Sequence, residues 1–345
     1  MIDLRSDICA GPTDEMWAAM RSAQLGWATY GEDENVNRLE KRGAELLGKE
    51  AAVLVPTCSL ANLAAVLALA RPGGRAALTP RAHILANEGD WLTEIAGLTP
   101  VGLDAAGSAD VICLENTHTR AGGTILGVEE TAALAASAPR AHLDGARLAN
   151  AAVALGVSLA ALAAPVDTVA LSLNKGLCAP VGAILAGDEA TIATARVHLK
   201  RLGGATIHKA GIFAAAGLIA LDGMVERLAD DHARARELAR LIGAAAPETN
   251  IVHADLGPTA VQDLRSRGVL ALEFEGRVRF VTHRLIGDDE IRRAGQAVLS
   301  VAAQASAVTT ATPPAKKNAS SVPPTPTSQP ENSPPSGAPP RNAKK

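Results

Sequence analysis

The chain has 345 residues, and 33 Lys and Arg stand against 36 Asp and Glu for a net charge of −3. That length holds one large or two moderate domains, and the lack of a basic surplus argues against nucleic acid as the main partner. No apolar run reaches the roughly 18 residues a membrane span needs.

Hydrophobic residues make up 48% of the chain but aromatics only 2%, so the core must be built from Ala, Leu, Val and Ile. Met1 to Asp7 lacks the basic-then-apolar pattern of a secretion leader. Cys9, Cys58, Cys113 and Cys178 form no CxxC pair and no disulfide ladder. Reduced thiols in a cytoplasmic protein without a bound metal are the reading this supports.

In chain order, Thr13 caps a first helix with acids in its first turn. Tyr30, the only tyrosine, sits in the loop Tyr30-Gly-Glu-Asp33. Asn35 then caps a helix that Gly48 ends. Ala51 to Val55 reads as a strand, Pro56 to Ser59 as a turn and Leu60 to Ala70 as an apolar helix. A turn of this kind presents free amides and hydroxyls, here of Thr57, Cys58 and Ser59, that can bind a phosphate. Strands follow at Arg75 to Leu78, Val111 to Leu114 and Arg140 to Leu143. His83 and His118 each lie after a strand, and Asp144 and Arg147 follow the last one, where open α/β sheets bind ligands.

An apolar strand from Val169 to Leu173 runs into Asn174-Lys175-Gly176, and Val181 to Ala186 reads as the next strand. A lysine held there can lose hydration, and burial favours its neutral amine. A neutral amine can attack an aldehyde. A solvated turn lysine is the plainer alternative. Helices at Val128 to Ala136, Leu148 to Leu155 and Asp188 to Arg201 alternate with the strands, so the fold class is α/β with a mostly parallel sheet between helices. A long helical region, His208 to about Ala245, breaks near Gly223. The pattern divides into a large domain at 1–245, a small α+β domain at 246–303 and a Pro-rich disordered tail at 304–345.

A lysine, an aspartate ending a neighbouring strand, a hydroxyl-bearing helix start, an arginine and a histidine together meet the needs of pyridoxal 5′-phosphate (PLP) chemistry. The chain resembles the low-specificity L-threonine aldolases of the β-eliminating lyase branch of fold-type I PLP enzymes. The resemblance is carried by Ile2-Asp-Leu-Arg-Ser-Asp7, Tyr30-Gly-Glu-Asp33, His83, Leu114-Glu-Asn-Thr-His118, His142-Leu-Asp-Gly-Ala-Arg-Leu148, Asn174-Lys-Gly-Leu177 with Ala179-Pro-Val-Gly182, and Val281-Thr-His283.

The resemblance implies that Lys175 bonds the cofactor aldehyde and shuttles protons. It implies that Asp144 pairs with the ring nitrogen and that His83 stacks on the ring and serves as base. Cys58, Ser59 and Lys200, the last from a neighbouring subunit, would hold the phosphate. Ser6, Arg147 and Arg279 would bind the substrate carboxylate. The implied reaction cleaves L-threonine or L-allo-threonine to glycine and an aldehyde, in a homo-oligomer with shared active sites.

Four departures from the family pattern stand out. The segment Leu103 to Ala109 is short and lacks the second active-site histidine, a role His118 does not inherit. The phosphate turn carries Cys58 where the family has glycine, which would strain the backbone if φ there is positive. Ile207 stands at the cross-subunit arginine. Asn174 replaces the serine before the lysine. Another PLP reaction on the same frame, such as β-elimination or racemisation, and a non-catalytic paralogue remain open alternatives.

Overall fold

The computed structural model describes residues 1–205 and 207–311. The tail from Thr312 onward lies outside the described residues, but residues 304–311 continue a helix that begins at Asp288. That helix extends past the boundary expected at 304.

Strand β1 (Ile2–Asp3) is followed by helix α1 (Asp14–Ser22), whose cap is Thr13, and by α2 (Glu34–Leu47). Asp33, not Asn35, caps α2: its carboxylate accepts from the Val36 amide at 3.1 Å and from Gly26 at 3.2 Å. Then come β2 (Ala51–Val55) and α3 (Cys58–Leu69). Strands β3 (Arg75–Ala77), β4 (Thr99–Val101), β5 (Val111–Glu115), β6 (Ala141–Gly145), β7 (Thr168–Ser172) and β8 (Ala183–Gly187) complete a seven-stranded sheet. Its order is β2-β8-β7-β6-β5-β3-β4. The strands from β7 to β4 pair in parallel, while β8 runs antiparallel between β2 and β7.

The antiparallel β8 has a direct cause. A hairpin can join antiparallel neighbours, whereas parallel ones need a crossover. Residues 173–182 make that hairpin: the Leu173 amide bonds the Gly182 carbonyl at 3.0 Å and the Ala179 amide bonds Leu173 at 2.9 Å. Gly182 has φ +112°, open to glycine at no steric cost. Lys175 is thereby held at the C-terminal end of β7.

The sheet is covered on both faces. Leu39, Leu143, Leu171 and Leu228 belong to one buried cluster, and Val53, Ala65, Ala170 and Leu199 to another. Small side chains let the layers approach closely. At Gly145 an added Cβ would lie 2.7 Å from the Ala170 carbonyl oxygen. Gly145→Ala is expected to destabilise the protein by about 1–3 kcal/mol through overpacking against backbone. A melting scan of the variant checks this.

Strand β9 (Ile251–Ala254), the helix Ala260–Ser266, β10 (Val269–Leu270), β11 (Leu272–Phe274) and β12 (Arg277–Val281) follow. The run from Val269 to Phe274 is divided into two strands, which pair with different partners. β10 pairs with β1 in parallel, and β11 pairs with β12, which also pairs with β9. The chain start is thus tied to the C-terminal unit, where Ile2 and Leu4 join Leu238, Val252, Phe280 and Ile291 in one core. Among the described residues, no helix is long and apolar enough to cross a membrane.

Candidate active site

The parallel strands end together on one edge. Glu115 of β5 pairs across to Asp144 of β6, which pairs to Ala170 of β7. Over this edge sits the start of α3. A cavity of about 200 Å³ opens there, and Cys58, Ser59, His83, Asp144, Asn174 and Lys175 line it. The lysine expected to carry chemistry and the aspartate expected to pair with a ring nitrogen therefore share one pocket. Lys175 is half-buried, and its charge acts on Asp7, Cys58 and His83.

Cys58 is the first residue of α3, and Thr57 is its cap, accepting from the Leu60 amide at 3.1 Å. Cys58 is not among the residues with positive φ, so it carries no left-handed strain. Its thiol donates to Asp144 Oδ1 at 3.8 Å, and burial together with Asp144 pushes its pKa well up. The Cys58 and Ser59 amides precede the first intrahelical bond and have no acceptor among the described residues. In the lysine hairpin it is Cys178 that has φ +63°.

His83 opens a short helix, His83–Ala86. Its Nδ1 lies 2.9 Å from Glu88 Oε1, and its backbone amide donates to Glu115 at 2.8 Å. Glu88 also accepts from Trp91 Nε1 and from Asn62 Nδ2, both at 3.1 Å. Burial works against the Glu88 carboxylate, but the bond and charge of His83, then the bonds from Ser59 and Trp91, lower its pKa. The bond to Glu88 in turn raises the His83 pKa against the effect of burial. With Nδ1 turned to Glu88, Nε2 is the nitrogen left to exchange protons in the cavity.

Behind Asp144 lies His142, fully buried, with Nδ1 2.9 Å from Thr168 Oγ1 and Nε2 3.0 Å from Asn62 Oδ1. Burial pushes its pKa down to about 4, and that of His232 likewise. A histidine with a depressed folded pKa stabilises fully above its unfolded pKa of about 6.5, and that stability drains away as pH falls toward 4. The melting temperature is expected to fall across this window. A His142→Asn variant, with no group to charge, should show a shallower fall in a pH series of melting scans.

A second buried cluster adjoins the cavity. Arg147 does not line the pocket. Its Nε and Nη2 bond both oxygens of Asp7, at 2.8 and 2.7 Å, and its Nη1 bonds Thr119 at 3.2 Å. Burial opposes the Asp7 charge, but Arg147 and Lys175 hold its pKa far below the carboxylate range. Ser6 caps the following turn and donates to Asp7 at 3.3 Å. Arg279 lies 4.6 Å over the Phe274 ring and donates to the Arg5 carbonyl at 3.2 Å. Its Nε is buried with no acceptor among the described residues, and burial with the Arg147 charge pushes its pKa down to about 10.

Other expected residues lie elsewhere. Lys200 is exposed in the last turn of the helix Glu189–Arg201, away from this cavity. Ile207 packs against the core. His118 bonds Thr79 Oγ1 at 3.0 Å and accepts from the Ala121 amide at 3.3 Å, so one ring nitrogen meets the turn after β3 and the other its own loop. The lining of the cavity does not include it. Sequence reasoning missed Asp7, Glu88 and Asn62. The available signal was polarity out of place: Asn62 is the polar residue inside an apolar helix.

The chain matches the model of the beta-eliminating lyase family over residues 3–111 and 106–255. It is 34% identical to a probable low-specificity L-threonine aldolase 2 of Arabidopsis thaliana, over 84% of this chain and 94% of the relative. It is 32% identical to a low specificity L-threonine aldolase of Escherichia coli strain K12, over 84% and 96% of the two chains. The fold superposes on the threonine aldolase of Leishmania major with a TM-score of 0.75 at 19% identity, covering 88% of this chain and 100% of the other.

Proposed function

Because the chain belongs to the beta-eliminating lyase family and to its threonine aldolase relatives, we propose that it binds PLP and cleaves L-threonine or L-allo-threonine to glycine and acetaldehyde. The observation that carries this reading is the meeting of Lys175, Asp144 and His83 around one cavity at the C-terminal strand edge. The donor set fits the cofactor. An amine stands in the same pocket as a carboxylate, and unpartnered amides at Cys58 and Ser59 suit a phosphate.

Bound there, PLP supplies an aldehyde for the Lys175 amine and a ring that withdraws electrons from the substrate Cα. Asp144 would face the ring nitrogen, where its carboxylate would keep a proton on that nitrogen. His83 Nε2 takes the β-hydroxyl proton as the Cα–Cβ bond breaks, and Lys175 returns a proton to Cα. Ser6, Arg147 and Arg279 hold the substrate carboxylate. An arginine fork carries more donors than the bonds of Arg147 to Asp7 and Thr119 use.

The protein acts as a cytoplasmic homo-oligomer in which Lys200 serves the phosphate of a neighbouring copy. Trp17, Trp27, Tyr30 and Ile8, large apolar side chains exposed near the N-terminus, support an interface there. Light scattering of the purified protein tests it, and a monomer would overturn it.

The function is tested by near-visible spectra of the protein with PLP, before and after L-threonine, with glycine assayed alongside. A borohydride-sensitive band with glycine release is the expected result. A band with pyruvate and ammonia, or with the inverted amino acid, would move the reaction to elimination or racemisation. The short Leu103 to Ser108 segment, which has no histidine, makes that outcome worth assaying.

A further inference from the structure

Asn62 lies one helical turn after Cys58 on α3, so both face β6. It is completely buried. Its Nδ2 donates to Asp144 Oδ2 and to Glu88 Oε1, both at 3.1 Å, and its Oδ1 faces His142 Nε2 at 3.0 Å. Carboxylates only accept, so chemistry fixes the amide orientation: the nitrogen points to the acids and the oxygen to His142. His142 must then carry its proton on Nε2 and accept from Thr168 at Nδ1.

We propose that Asn62 is a positioning residue of the cofactor pocket: one amide holds the Asp144 and Glu88 carboxylates side by side, and through Glu88 it aims the His83 ring. The proposal rests on the PLP reading above. Two neighbouring carboxylates repel unless donors lie between them. Asn62 places an N–H toward each. Removing it takes one donor from Asp144 and one from Glu88. Among the described residues, Asp144 keeps only the Ala146 amide and the weak Cys58 thiol. Glu88 would keep Trp91 Nε1 on its other oxygen, but the Oε1 that faces His83 would lose the donor that fixes it beside Asp144.

The test uses Asn62→Leu, similar in size and apolar, and Asn62→Asp, which puts a third carboxylate where the donors were. Cofactor affinity is read by titrating PLP into each variant at its near-visible band, and kcat and KM are read with L-threonine. Each variant should lose affinity for PLP and kcat by about tenfold or more. KM should stay within about threefold, since the carboxylate cluster is separate. Asn62→Asp should be the worse of the two. A purely structural residue would lower the melting temperature and leave PLP affinity and kcat alone. That result in either folded variant overturns the proposal.

If neither variant folds, Glu88→Gln decides. Its kcat should fall about tenfold with PLP affinity retained, and an unchanged kcat overturns the proposal. Wild-type protein that releases no glycine would sink the aldolase reading, whereas the PLP titrations would still judge Asn62.

Discussion

Lys175→Ala is expected to lower turnover of L-threonine by roughly a thousandfold or more, the scale at which losing a covalent catalyst is felt. The fold should survive. The Lys175 ammonium has no hydrogen-bond acceptor among the described residues. What holds the hairpin is backbone: the Cys178 amide bonds the Lys175 carbonyl at 2.9 Å, and alanine keeps that bond. The half-buried site also leaves little cavity behind. Removing the cation should be felt at Asp7, Cys58 and His83, on which its charge acts. Borohydride treatment followed by intact mass gives the cleanest readout. Wild-type protein should gain the mass of the reduced cofactor, and the variant should not. Unchanged turnover in the variant would remove Lys175 from the chemistry.

The legible parts of this chain were those decided by short-range rules. Period, caps and glycine marked the strands on either side of Lys175, the helix Leu148–Leu155 and the Gly48 stop. Asp33 and Asn35 are both good caps, and only the approach of Gly26 to the Asp33 carboxylate separates them. Thr57 and Ser59 are both good caps too, and choosing Thr57 moved Cys58 into the helix and out of any strained turn.

The partners of the active-site groups were harder to see. Asp7 and Arg147 are 140 residues apart in sequence, and only the folded chain brings the turn after β1 to the residue that follows β6. A motif containing Ser6-Asp7 pointed at the stretch, and the pairing of Asp7 with Arg147 adds a second side chain to it. Glu88 and Asn62 act through three-dimensional contact with His83 and Asp144, which periodicity does not encode. Ser172, which donates to Asn174 Oδ1 at 2.8 Å, keeps a hydroxyl in the pocket two residues before the substituted position.

Arg279→Leu should raise KM for L-threonine on the order of 100-fold, from about 3 kcal/mol for losing one partner of a buried charged contact. PLP affinity should hardly move. The argument is electrostatic. Arg147 and Arg279 are both buried and act on each other, yet the carboxylate they share is Asp7, whose side-chain oxygens Arg147 already holds. Arg279 is left with a carbonyl, a ring face and an Nε that has no acceptor. A buried guanidinium in that condition is destabilising unless an anion completes it, and the substrate carboxylate is the anion this reaction provides. The ring of Phe274 keeps the guanidinium plane in place for it. Arg279→Lys should rescue little, because a point charge does not reproduce the planar fork. Titration with glycine, which has the carboxylate and no side chain, isolates the contact: its affinity should fall with that of threonine. If neither affinity moves, Arg279 is not a carboxylate ligand, and its unpartnered Nε needs another occupant.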